Sequence, residues 1–346
     1  AGQADAGLIA PFRNRDDVTP EAQEIGVALS TDANPFYGEI DPYWQAANAV
    51  VESCRNIAAI GATPWCITDC LNYGDPEKPD QMWEFIMGVK GISDALKGIG
   101  LHGYKATPEH KSKKEVIPPL PCISGNVSLY NISEKSSIAP QAIISTLGKM
   151  ENVKKAIKLQ LKTSGNYLVM IGPRKDELGG SAYYNSLGEL GANVPKPDFE
   201  EASKEINLVT SLINEGLAES CHDISDGGLG VAVAEMCIGG DGDGRIGAKI
   251  VISTIDERPS KGKKVKPLRT DKKLFSETGG FVLEISRRNF NKAKKLAGKA
   301  GVPLIRLGFT TESRKLVVFD FGKEVINIKL SAIRSAWING LRDKLR

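Results

Sequence analysis

Three short stretches carry residue types that can handle a phosphate, an amide and a divalent cation. The first holds Asp69, at the end of the apolar run "WCITDC" and just before "LNYGDPEKP". A carboxylate where a buried strand hands over to a Gly/Pro-rich loop is a common ligand contact in α/β folds. The same position suits an Asx turn that merely stabilises the loop. The second stretch, "SGNVS", presents Ser124, Gly125, Asn126 and Ser128. Glycine lets the backbone approach a ligand, an asparagine amide oxygen suits Mg2+, and a serine hydroxyl donates to a phosphate or carboxamide. A β-bulge with a turn-forming Gly-Asn is the alternative.

The third stretch, "CHDISDGGLG", sets His222, Asp223, Ser225 and Asp226 directly before Gly227-Gly228 and an apolar run. Asp or Ser there would be an ordinary helix N-cap. A helix N-terminus also attracts phosphate, but two carboxylates repel it unless a divalent cation bridges them, so a nucleotide here requires Mg2+. His222 alone reads as structural. "GGDGDGRIG" at 239–247 resembles a calcium loop but lacks the closing Glu, and reads as a hairpin turn. There is no G-x-x-x-x-G-K-[ST] and no strand-linked G-x-G-x-x-G. Any ATP must be gripped in another way.

The elements that position these residues alternate in type. Residues 42–60 are Ala-rich with apolar spacing Ala46, Ala49, Val50, Ile57, which predicts a packed helix ending at Gly61. "WCITDC" predicts a buried strand and "LPCIS" the next strand, on either side of a helix through "QMWEFIMGVKGISDALKGIG", and "APQAIISTLGKM" predicts another strand. In the second half, "NYLVMIG" reads as a strand, "LGGSAYYNSLGELG" as a Gly-rich turn, and "EEASKEINLVTSLINEGL" as a helix. "AESCHDISDGGLGVAVAEM" reads as strand, turn and helix. "RIGAKIVIS", "VPLIRLG" and "KLVVFDF" read as strands, and "RNFNKAKKLAGKAG" and "LSAIRSAWINGLRDKL" as helices. The expected class is α/β (α+β), in two domains at 1–163 and 164–346, as a chain of 346 residues requires.

Composition excludes several functions. Lys+Arg of 45 against Asp+Glu of 42 gives only +3, so nothing points to nucleic acid, and the basic runs at 110–115 and 260–266 read as solvated loops. No stretch of membrane-spanning length is apolar and the start lacks a signal-peptide pattern, so no membrane is expected and the location is expected to be cytoplasmic. Six cysteines without C-x-x-C or zinc-ligand spacing read as buried small hydrophobes. The chain begins with Ala and enters a fold already under way, which suggests a fragment.

Five separated motifs, in order, resemble one family: "DANPFYGEIDPYWQAANAVVESCRNIAAIGATP", "ITDCLNYGDPEKPDQMW", "SGNVSLYN", "HDISDGGLGVAVAE" and "FSETGGF". The chain is similar, over residues 8 to 343, to the synthetase subunit of phosphoribosylformylglycinamidine synthase, and to the second of its two A/B halves. This resemblance implies ATP (ADP) and Mg2+ as cofactors. Asp69 and Gly125 would contact ATP, Asn126 would ligate Mg2+, and Ser128 would contact formylglycinamide ribonucleotide, the strand breaking at Gly125-Asn126 to let them reach it. It further implies transfer of phosphate to the formyl amide oxygen and displacement by ammonia.

The histidine motif of the family's first half has no match among His102, His110 and His222, so no catalytic residue is assigned. Implied partners are the N-terminal half of the synthetase, a glutaminase subunit supplying ammonia and a small accessory subunit. His222, Asp223, Ser225, Asp226, Gly227 and Gly228 would line a second nucleotide site. The lysine-rich stretch 103–117 is longer than the family's usual connection. Two alternatives stay open: a stand-alone homodimer like aminoimidazole ribonucleotide or selenophosphate synthetase, and a nucleotide-binding assembly module without turnover. Exposed strands of the first domain favour a homodimer.

Overall fold

The computed structural model describes residues 3–103, 117–133, 136–240, 246–255 and 267–344. The expected readings of 104–116, of most of the loop at 239–247 and of the run at 260–266 lie outside the described residues.

Two mixed sheets organise the chain. The first joins β1 (Gly7–Ile9), β2 (Gly26–Asp32), β3 (Thr63–Asn72), β4 (Cys122–Ser128) and β5 (Gln141–Met150) in the order β1-β2-β5-β3-β4. Among the described residues of this sheet only β3 and β4 pair in parallel. On β5, buried residues alternate strictly with half-buried ones, the period-2 signature of a sheet with one covered face. The covering elements are α3 (Pro42–Ala59) and α4 (Pro79–Ile99); α1 (Pro20–Gln23) and α2 (Pro35–Ile40) are short. The N-terminus of α3 is fixed by Pro42 and by Asp41, whose carboxylate accepts from the amides of Tyr43 and Trp44 at 3.1 and 3.2 Å. Small Ala side chains let α3 sit close to β5, and Gly61 follows it at φ 93°.

The second sheet runs β12-β11-β8-β10-β6-β9-β7. Its strands are β6 (Tyr167–Ile171), β7 (Ser220–Asp223), β8 (Gly247–Val251), β9 (Phe281–Ile285), β10 (Ile305–Thr311), β11 (Lys315–Asp320) and β12 (Lys323–Lys329). The helices are α5 (Ala182–Ser186), α6 (Phe199–Asn214), α7 (Gly228–Ile238), α8 (Thr270–Phe275), α9 (Arg287–Ala300) and α10 (Leu330–Lys344). One apolar cluster joins α3 and α4 to α6, β7 and β9, so the two sheets share a core across α3. The fold is α/β with mixed sheets, as the sequence predicts.

Three readings need correction. β4 does not stop at Ser124-Gly125-Asn126: these residues pair with Thr68, Asp69 and Cys70, and the bulge falls earlier, where the register shifts between Cys122 and Ser124. The Gly-rich stretch after β6 contains the short helix α5, capped by the Ser181 hydroxyl. Cysteines 54, 66, 221 and 237 are buried, but Cys70 is half-buried and Cys122 exposed, because both lie beside the open edge of the first sheet.

Candidate functional site

The parallel pairing of β3 and β4 decides where the first group of site residues goes. Asp69 stands opposite Gly125, Cys70 opposite Asn126, and Asn72 opposite Ser128. Neighbouring strand residues point to opposite faces, so Asp69 and Gly125 share one face while Asn126 and Ser128 lie on the other. The four expected contacts therefore surround an edge strand rather than line one pocket. A Cβ on residue 125 would come within 2.7 Å of Asp69 Cγ, so the carboxylate occupies space that only glycine leaves. The Cys122 thiol donates to Asp69 Oδ2 at 3.3 Å. On the other face, Asn126 Nδ2 donates to Cys70 Sγ at 3.5 Å.

The second group converges where α3 meets β7 and the turn before α7. His222 Nδ1 lies 2.8 Å from Asp5 Oδ1 and 3.5 Å from Asp223 Oδ1, and its Nε2 lies 3.0 Å from Glu235 Oε2. The Asp223 amide donates to Asp5 Oδ2, and the Ser225 hydroxyl donates to Asp223 Oδ1 at 3.3 Å. Asn34 Nδ2 donates to Asp226 Oδ1 at 3.5 Å, and Asn56 Nδ2 to Asp32 Oδ2 at 3.0 Å. Glu277 closes the turn: it accepts from the Gly227 and Ala182 amides and from the Tyr37 hydroxyl at 2.7, 2.8 and 2.6 Å.

Neither Asp226 nor Ser225 is the N-cap of α7, as the simpler reading expects. The cap is Gly227, at φ 76° and without a side-chain cap bond, and Gly228 follows at φ 68°. Two consecutive left-handed residues exclude most side chains and turn the backbone sharply here.

Acids far outnumber cations at this junction. Arg55, 4% exposed, pairs with Asp223 at 3.7 Å and with Glu52 at 3.6 Å. Burial, then the Asp5 carboxylate, pushes Asp223 up to about 7. Burial pushes Asp32 up to about 6, and burial, then Asp32, holds Glu52 well above its ordinary value. Glu277 rises to about 7 through burial and then Asp226. Burial lowers the basicity of His222, but Asp5, Glu235 and Asp223 more than offset it and hold the ring protonated well above its ordinary range.

A cation fits this donor set on two observations, taking the place of the proton that His222 otherwise carries on the Nδ1 facing Asp5. Asp5, His222 and Asp223 offer ligand atoms all within 4.8 Å of one another, and buried Asp223 Oδ2 has no hydrogen-bond donor among the described residues. The residues of "HDISDGG" are thus brought together, whereas Asp5, Asp32, Glu52, Arg55, Asn56, Glu235 and Glu277 were missed. Glu52, Arg55 and Asn56 recur at i, i+3 and i+4 on an Ala-rich helix, a polar break in an apolar pattern that is the one local signal for them.

Residues 4–105 match the family described as "AIR synthase related protein, N-terminal domain", and residues 163–321 match "AIR synthase related protein, C-terminal domain". Among curated relatives, the phosphoribosylformylglycinamidine synthase subunit PurL of Methanothrix thermoacetophila is 40% identical across 100% of this chain, which spans 41% of that relative. The chain thus covers well under half the length of the relative it matches. Among solved structures, Thermotoga maritima PurL complexed with FGAR gives a TM-score of 0.72 at 18% identity, covering 96% of this chain and 48% of that one. The same protein complexed with ADP gives 0.69 at 18% identity, with coverages of 96% and 46%.

Proposed function

Because the chain belongs to the AIR synthase related proteins, carrying an N-terminal and a C-terminal domain of that family in order, we propose that it is the C-terminal A/B half of a phosphoribosylformylglycinamidine synthase, an ATP-dependent C–N ligase of purine synthesis. The domains divide at 163/164 in this reading. Its similarity to PurL over the whole chain supports it, and the observation that carries it is the β3–β4 register. That register sets Asp69 against Gly125, the glycine leaving room for the carboxylate, and sets Asn126 and Ser128 on the opposite face of the same edge strand, so that the four contacts surround β4. Asp69 and Gly125 contact ATP, Asn126 holds Mg2+, and Ser128 contacts formylglycinamide ribonucleotide.

A divalent cation bound there neutralises phosphate charge. The chain's own residues orient the nucleotide at the edge of β4. The proposed partners are the N-terminal half of the synthetase, a glutaminase subunit supplying ammonia and a small accessory subunit, in the cytoplasm. The clustering of Asp5, His222 and Asp223 supports a second, non-catalytic Mg-nucleotide site along His222, Asp223, Ser225, Asp226, Gly227 and Gly228, in which Asp5, His222 and Asp223 hold the cation and the turn at Gly227-Gly228 faces the nucleotide.

The test is ammonia-dependent ATP hydrolysis with Mg2+ and formylglycinamide ribonucleotide, by this chain alone and by Asn126→Ala. The half-site reading expects a folded chain that binds Mg-ADP without turnover. Turnover that disappears in the variant would replace it with the stand-alone homodimer, which the exposed apolar residues Ile9 and Leu29 on the open face of the first sheet favour.

A further inference from the structure

An asparagine amide has two unlike ends: the oxygen attracts a cation and the NH2 repels it. Whether Asn126 can ligate a metal therefore depends on which end faces outward, and its register partner Cys70 bears on that choice. We propose that the Cys70 thiol is a positioning residue: its sulfur takes the Asn126 N–H and so turns the amide oxygen away from the strand pair, toward a divalent cation.

The geometry beneath β4 supports an acceptor role for this sulfur. Asn126 Nδ2 donates to Cys70 Sγ at 3.5 Å, and Asn72 Nδ2 reaches the same sulfur at 3.5 Å. Asn72 Nδ2 is itself fixed by the Cys70 carbonyl at 3.1 Å, and a carbonyl can only accept. The NH2 end of Asn72 is therefore held toward the sulfur, which then faces two donors. A thiol sulfur is a weak acceptor, but its S–H is a weaker donor than an amide N–H, so the bond needs only to favour one of two rotations of the amide. Half-buried Cys70 lies on β3, next to the edge strand β4 and outside the shared apolar cluster, so its substitution leaves that core intact.

This inference rests on the reading of Asn126 as a metal ligand, and the experiment separates the two. ADP binding is measured by calorimetry with and without Mg2+ on the wild type, Asn126→Ala, Cys70→Ser, Cys70→Val and Cys70→Ala, with thermal melting alongside. The expected result is a Mg2+-dependent gain in ADP affinity that falls by about tenfold in Cys70→Val and Cys70→Ala, the lower range for a residue that orients a ligand. Cys70→Ser, whose hydroxyl still accepts, should restore it, and affinity without Mg2+ should be the same in all the Cys70 variants. If the Val and Ala variants keep the gain while Asn126→Ala loses it, the thiol has no positioning role and Asn126 remains a ligand. If Asn126→Ala also keeps the gain when the second site is removed by Asp223→Asn, or the wild type shows none, both readings fall.

Discussion

Asp69 and Gly125 face each other across the parallel pair of β3 and β4, and a Cβ at position 125 would lie 2.7 Å from Asp69 Cγ. The backbone at 125 is extended strand, which alanine tolerates, so Gly125→Ala should fold. The half-exposed Asp69 carboxylate must then swing away and lose the Cys122 thiol. The expected outcome is a melting temperature near wild type together with at least a tenfold loss of Mg-ADP affinity, which corresponds to about 1.4 kcal/mol. Unchanged affinity in calorimetry would remove Asp69 and Gly125 from the nucleotide site.

Arg55 is the cation that holds α3 against the acids of β7. Removing it leaves Glu52 and Asp32 without their opposite charge, and Asp223 with His222 alone, in a largely buried setting. Breaking such an arrangement typically costs about 3–5 kcal/mol. Arg55→Met, which keeps the aliphatic bulk, should therefore lower the stability measured in urea by about that amount, and millimolar Mg2+ should recover part of it. A loss under about 1 kcal/mol would show that the acids take up protons instead of repelling one another.

The parts legible in the sequence are those fixed by short-range periodicity. The apolar run of β5 and the Ala-rich face of α3 are visible over ten to eighteen residues, and both elements form where expected; the strict alternation of β5 lies in its burial, with Thr146 and Gly148 inside and Ile143 and Leu147 half-buried. β12 escaped because its apolar residues, Val325, Ile326 and Ile328, follow no clean alternation and stay half-buried or exposed. The site was half legible for a related reason. Motifs name the residues of "SGNVS" and "HDISDGG", but only the register shows that Gly125 and Asn126 face opposite ways. The acidic junction is assembled from positions as distant as Asp5 and Asp223, which no window of sequence brings together.

Stability should fall as pH rises from about 4 toward 8. In the fold Asp32 titrates at about 6 against an ordinary 3.8, Asp223 at about 7 against 3.8, and Glu277 at about 7 against 4.5, burial being the first cause each time. The folded chain therefore holds more protons than the unfolded chain across that window, so its advantage is complete at the acid end and lost as these groups ionise. His222, raised by its carboxylate neighbours, adds in the same direction at higher pH. Calorimetric melting should give a higher temperature at pH 5 than at pH 8, and Asp223→Asn should flatten the profile. A melting temperature that climbs from pH 5 to pH 8 would contradict this assignment.

The open face of the first sheet should associate with a second copy when the chain is studied alone. Leu29 is 50% exposed and Ile9 64%, and Leu29 pairs with half-buried Leu147 on β5, so apolar side chains run across the face that α3 and α4 leave uncovered. A sheet face of this kind, bordered by the exposed edge strand β4, gains by being covered. A two-fold arrangement lets the same surface cover itself. Sedimentation at micromolar concentration should show a dimer, and Leu29→Glu should return it to monomer without lowering the melting temperature of the subunit core, because the side chain already faces outward. A monomer in the wild type would mean that this face is covered only by a different chain, such as the missing half of the proposed synthetase.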